Sequence, residues 1–107
     1  MAKFQLNAGE ILIGSGQVAL HKKQFLNTRA FAGYIYVTNQ RACFQVRMIG
    51  KMDMNLPLSQ IKGFSVKKTV LFTRVTIYSW TDESYTFTGF PIKKLQDWLR
   101  QIGIQEL

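Results

Sequence analysis

A single cysteine, Cys43, and a single histidine, His21, leave this 107-residue chain poorly equipped for chemistry of its own. One cysteine excludes an internal disulfide framework. Together with one histidine and six dispersed carboxylates it falls short of a metal-ligand set. A nucleophilic triad fares no better, because His21 stands at a strand end, Cys43 lies on a different strand, and the sequence supplies no third orienting group. Asp82 and Glu83 are neighbours, but they fall in a turn, where acidic residues are ordinary. The chain therefore reads as a non-enzyme without a cofactor. Long apolar runs are also missing: nothing approaches the roughly 18 residues of a membrane span, and the N-terminal stretch lacks a signal-peptide core. That predicts a soluble, cytoplasmic protein. Proline (two) and glycine (eight) are scattered, so no linker or repeat divides the chain, and its length suits one domain over 1–107.

Among charged groups the acids are scarce: six Asp and Glu stand against 14 Lys and Arg, a formal charge of +8. Such an excess suits phospholipid headgroups, nucleic acid or an acidic protein, and it also serves solubility. Apolar residues are plentiful at 47%, with 13% aromatic, far from the composition of a disordered chain.

The apolar residues are arranged mainly with a period of two. In "GYIYVTNQRACFQV" a hairpin with Asn39-Gln40 as its loop places Thr38 opposite Arg41, Tyr36 opposite Cys43, and Ile35 opposite Phe44. Ile35, Val37, Ala42, Phe44 and Val46 then share a core face. Tyr34, Tyr36, Thr38, Arg41, Cys43, Gln45 and Arg47 share the other, expected as an amphipathic exterior. Gln40 is not the glycine a type I′ turn prefers, so a longer loop is the competing arrangement. Upstream, "ILIGSGQVALHKK" reads as a strand whose Gly14 and Gly16 invite a bulge, followed by a polar loop from Gln24 to Ala32. Downstream, Met52, Met54 and Leu56 alternate with Lys51, Asp53 and Asn55 until Pro57. "IKGFSVKK", "RVTIYSW" and "SYTFTGF" add three more strands, the last two joined by the turn at Thr81 to Ser84. The total is seven.

Helical spacing occurs only near the end. Ile92, Leu95, Trp98, Leu99 and Ile102 fall on one face of a helix over about 91–102, with Pro91 suited to its start and Gly103 to the position past its last turn. Seven short strands and one helix predict a mainly β fold, a small antiparallel barrel or sandwich, with the helix that carries Trp98 and Leu99 covering an open end.

Gly9-Glu10 before the first strand, the "GYIYVTNQRACF" hairpin, the "LPLSQI" step at Leu56 to Ile61, and Trp98 in a C-terminal helix together resemble the PH-like superfamily, in particular its GRAM and bacterial PH-like branch. The resemblance spans nearly the whole chain. It implies a partial barrel of seven antiparallel strands, in two near-orthogonal sheets capped by the helix, and functions of binding to lipids or proteins. In lipid-binding PH domains a lysine at the end of strand 1 and basic residues on strand 2 hold inositol phosphates. The second strand here, "GYIYVTN", carries no basic residue, which argues against that specificity.

Two sets of candidates follow. Lys22, Lys23 and Arg29, joined by Lys67, Lys68 and Arg74, are candidates for an anionic ligand, above all a membrane surface met peripherally. At about 1 kcal/mol each, six cations give at most about 6 kcal/mol, a dissociation constant of tens of micromolar. Tyr34, Tyr36, Cys43 and Arg47 are candidates for a contact with a protein partner or a second copy of the chain. The alternative is non-specific nucleic-acid binding, with Tyr34, Tyr36 and Tyr78 as stacking groups, although no RNA-binding motif accompanies them. "GSGQVA" at Gly14 to Ala19 formally matches the dinucleotide-binding fingerprint. It is followed by a strand-like alternation instead of a helix, and by no acidic residue at the required distance, so its glycines are better explained as bend residues.

Overall fold

The fold was determined as a computed structural model that describes residues 4–24, 27–47 and 52–107, with the side chains at positions 23, 24, 27 and 28 left aside. The seven strands are β1 (Leu12–Gln24), β2 (Asn27–Thr38), β3 (Arg41–Val46), β4 (Met52–Pro57), β5 (Ile61–Lys68), β6 (Thr73–Ser79) and β7 (Ser84–Thr88). The helix α1 is Ile92–Gln101, and a single 3-10 turn at Leu58–Gln60 separates β4 from β5. All seven strands are hydrogen-bonded into one antiparallel sheet in the order β4-β3-β2-β1-β7-β6-β5. The two sheets implied by the resemblance are thus two arms of one sheet, which does not close into a barrel. The arms meet where β1 pairs with β7, only from Ala19↔Thr88 to His21↔Thr86.

The hairpin register is the predicted one, with Tyr36↔Cys43 and Ile35↔Phe44 paired. A correction concerns the preceding segment. The polar stretch expected as a loop is strand from Asn27 onward, and β2 runs beside β1 from Gln24↔Asn27 to Leu12↔Thr38, so the second strand, expected to carry no basic residue, includes Arg29. Ala30 and Ala32 carry too little apolar surface to mark a strand by alternation, and the strand forms because β1 supplies its hydrogen-bond partners.

The core lies between the curved sheet and the helix. Leu20, Ile35, Val37, Phe44, Phe64, Val75, Ile77 and Phe87 are fully buried, and the rings of Phe44 and Phe87 meet at 5.6 Å between centroids. From the helix come Ile92, Leu95 and Leu99, each worth about 1.5–3 kcal/mol of burial. Trp98 packs at the edge of this core against Gly14, where any Cβ would fall inside the indole. That close approach explains the glycine in "GSG" better than any phosphate-binding role, and the β1–β2 register shifts between Leu12 and Gly14. The helix ends as expected, with Gly103 at φ 85° just past it.

Candidate functional site

The polar centre of the hairpin, Thr38 to Arg41, is a receptor for the chain's own N-terminal segment. Neither Asn39 nor Gln40 has a positive φ, so the two-residue loop is not the type I′ form. It is held by side chains instead. The Thr38 hydroxyl accepts the backbone N–H groups of Gln40 and Arg41, both at 3.0 Å, and donates to Glu10 Oε2 at 2.6 Å. Arg41 grips the same carboxylate through Nε at 2.8 Å and Nη2 at 3.1 Å, and it also donates to the Gln5 carbonyl. Asn39 accepts from the Ile11 N–H at 2.7 Å, and Gln40 donates to the Ala8 carbonyl at 3.2 Å. Phe4 completes the clasp, stacked on Tyr36 at 4.1 Å between centroids, with the Arg41 guanidinium 4.9 Å from the centroid of the Phe4 ring.

This clasp corrects the expected exterior face. Cys43 and Thr38 are fully buried and Gln45 is buried, on a side of the hairpin that alternation alone assigned to water; Glu10 lies against Thr38 and Arg41 there, Phe4 against Tyr36, and Asn55 of β4 against Cys43. Tyr34 and Tyr36 are half-buried, while Arg47 remains exposed. Burial pushes the Cys43 thiol up to about 11, and its S–H donates to Asn55 Oδ1. Glu10 is held far below the ordinary carboxylate value, at about 2, chiefly by its hydrogen bonds from Arg41 against the opposing cost of burial.

The basic candidates separate into two groups. Leu20, Phe87 and Val75 are level across β1, β7 and β6. Lys22 lies to one side of that level and Arg74 to the other. Lys22 faces Arg29 across β1 and β2 and forms an ion pair with Asp53 at 3.6 Å, so part of its charge is spent inside the fold. The Lys23 side chain lies outside the described residues. Lys67, Lys68 and Arg74 sit on the β5–β6 hairpin, with Lys67 opposite Arg74. Among the described residues no ion pair engages Lys67, Lys68, Lys93 or Lys94.

Between these cations lies a feature that the sequence reading passed over. The β5–β6 tip consists of Val70, fully exposed at 102%, Leu71 at 86% and Phe72 at 44%, and Phe90 in the β7–α1 connection is exposed at 105%. The signal was the apolar run Val70-Leu71-Phe72 at a turn, where polar residues are the rule, bracketed by Lys67-Lys68 and Arg74. Arg74 lies over the Phe72 ring at 5.0 Å. Phe90 stands between two open cavities of about 810 and 770 Å³. The first has Lys94 in its wall, and the second has Lys68 and Lys93. His21 borders the second cavity, hydrogen-bonded through Nε2 to Thr88 Oγ1 at 2.7 Å, and burial with the nearby charge of Arg74 holds its imidazole below the ordinary value. No cluster of three or more His, Cys, Asp or Glu with the spacing of a metal site occurs among the described residues. None of their helices is long and apolar enough to cross a membrane.

One sheet of seven antiparallel strands in this order, with a single C-terminal helix over its concave side, is the PH-like architecture. A family model of the GRAM domain matches residues 1–96, and the chain belongs to that family. GRAM domains adopt the PH-like fold and serve as non-catalytic modules for membrane or protein interactions. Among solved structures, the crystal structure of the C-terminal domain of an unknown protein from Leishmania infantum is similar, with a TM-score of 0.69 at 19% identity, covering 89% of this chain and 86% of that one. At that identity the likeness concerns the fold alone. A search of curated proteins finds no match.

Proposed function

We propose that this GRAM domain binds peripherally to anionic membrane surfaces through the β5–β6 tip and Phe90. The observation that carries this reading is the fully exposed Val70 and Phe90 among cations with no ion pair of their own among the described residues. A contiguous apolar projection in water is unfavourable, and one ringed by lysines suits a bilayer whose headgroups are acidic and whose interior is apolar. Lys67, Lys68, Arg74, Lys93 and Lys94 contribute about 1 kcal/mol each near such a surface. Partial insertion of Val70, Leu71 and Phe90 adds to this, at up to about 1.5–3 kcal/mol for each side chain fully buried. A nucleic acid would use the same cations and leave the apolar tip idle.

The test is co-sedimentation with vesicles of phosphatidylserine and phosphatidylcholine, and of phosphatidylcholine alone, at low and physiological salt. Binding should require the anionic lipid, weaken with salt, and be lost in a Val70→Asp, Phe90→Asp double variant that keeps its fold. Equal failure to bind both vesicle types would overturn the reading.

A further inference from the structure

The cavity of about 770 Å³ beside Phe90 has walls of two kinds. Leu71, Phe72 and Phe90 supply an apolar wall, continuous with the exposed tip. Lys68 and Lys93 stand in the same cavity with Thr73 and Gln96 as neutral hydrogen-bonding groups. No Asp or Glu lines it among the described residues. Its size falls within the range of small-molecule sites, roughly 300–1,000 Å³. A ligand that complements it carries a negative head for the two ammonium groups and an unbranched apolar portion for the aromatic and leucine side chains.

We propose that this cavity takes one acyl chain of an acidic amphiphile, with the chain against Leu71, Phe72 and Phe90 and the acidic head at Lys68 and Lys93. A cationic ligand would leave both lysines facing like charge, and a wholly polar anion would leave the apolar wall in water. The inference rests on the membrane reading in one respect, that the same face meets the bilayer from which such an amphiphile is drawn.

The experiment separates the two. Octanoate, octyl phosphate and octanol, all kept monomeric, are titrated into the full chain while backbone amide shifts are followed by NMR. Both anions should shift the amides of Thr73, Thr88, Gly89 and Gln96, with octanol about tenfold weaker for want of two ion pairs. The tighter of the two anions identifies the head as a carboxylate or a phosphate. Gln96→Trp, which fills the cavity from the helix, should abolish these shifts while leaving vesicle sedimentation within about twofold, since the tip and its cations are unchanged. Lys93→Glu, an exposed substitution that does not threaten folding, should erase the preference of the anions over octanol. Shifts outside the cavity, no shifts at all, or octanol binding as tightly as the anions would overturn the proposal. If the wild type shifts with octanoate but ignores anionic vesicles, the membrane reading fails and the cavity assignment stands.

Discussion

At the Thr38–Arg41 turn each of the four polar side chains finds a partner within the chain, whereas at the β5–β6 tip apolar side chains face water and the flanking lysines have no ion pair among the described residues. The first region is built as protein interiors are, with a buried bidentate ion pair whose carboxylate also accepts from a hydroxyl and from the Asn7 backbone N–H. The second resembles half of an interface. The contrast teaches that polarity in a sequence does not mark a free surface: the polar "TNQR" motif holds the fold together, whereas the apolar "VLF" is left exposed to water.

The contrast can be broken most sharply by Arg41→Ala. Removing one partner strands a buried carboxylate, at a cost of about 3 kcal/mol in urea unfolding. The Val70→Asp, Phe90→Asp pair should stay within about 0.5 kcal/mol of wild type by the same measurement. If the two variants were equally stable, the clasp would not be structural.

Acid provides a second, graded test. Glu10 has a folded value of about 2 against an ordinary 4.5, so the unfolded chain takes up this proton at a higher pH than the folded one. Its contribution is fully present above about 4.5 and is lost progressively as pH falls towards 2. Unfolding measured across that window should show a downward slope towards acid that is diminished in Glu10→Gln. An unchanged slope would mean that other carboxylates account for it.

The smallest expected effect is that of Phe4→Ala, which removes the ring stacked on Tyr36 and should cost about 1 kcal/mol. Because the clasp covers the face that holds Cys43, alkylation of that thiol by iodoacetamide at pH 8 should be very slow in the wild type and faster in the variant. Equal rates would show that residues 4–11 do not guard the hairpin.

Much of the fold was legible because it rests on periodicity. The seven strands, the helix and the hairpin register all follow from side chains alternating between core and exterior, and from the single segment with a helical spacing. The misplaced boundary of β2 arose where alanines and polar residues carry no periodic signal and pairing with β1 decides the conformation. The burial of Thr38 and Cys43 was illegible for a different reason. Alternation tells two faces apart, but it does not reveal that a segment some 30 residues earlier in the chain covers the polar one. Glu10, the only acidic residue before Asp53, and Arg41 at the turn were the available clues. At the basic face, sequence gathered cations by type, while the register placed Lys22 and Arg74 on opposite sides of the sheet's common level and joined Lys93 and Lys94 to the second group through the helix.

The division of labour between the two regions is tested most directly by paramagnetic broadening of backbone amides in the presence of bilayer discs that contain phosphatidylserine and a headgroup-attached nitroxide lipid. Strong broadening at Val70, Leu71 and Phe90, with Asn39, Gln40 and Arg41 left sharp, is the predicted result. Broadening centred on the hairpin turn, or spread evenly over both regions, would contradict it.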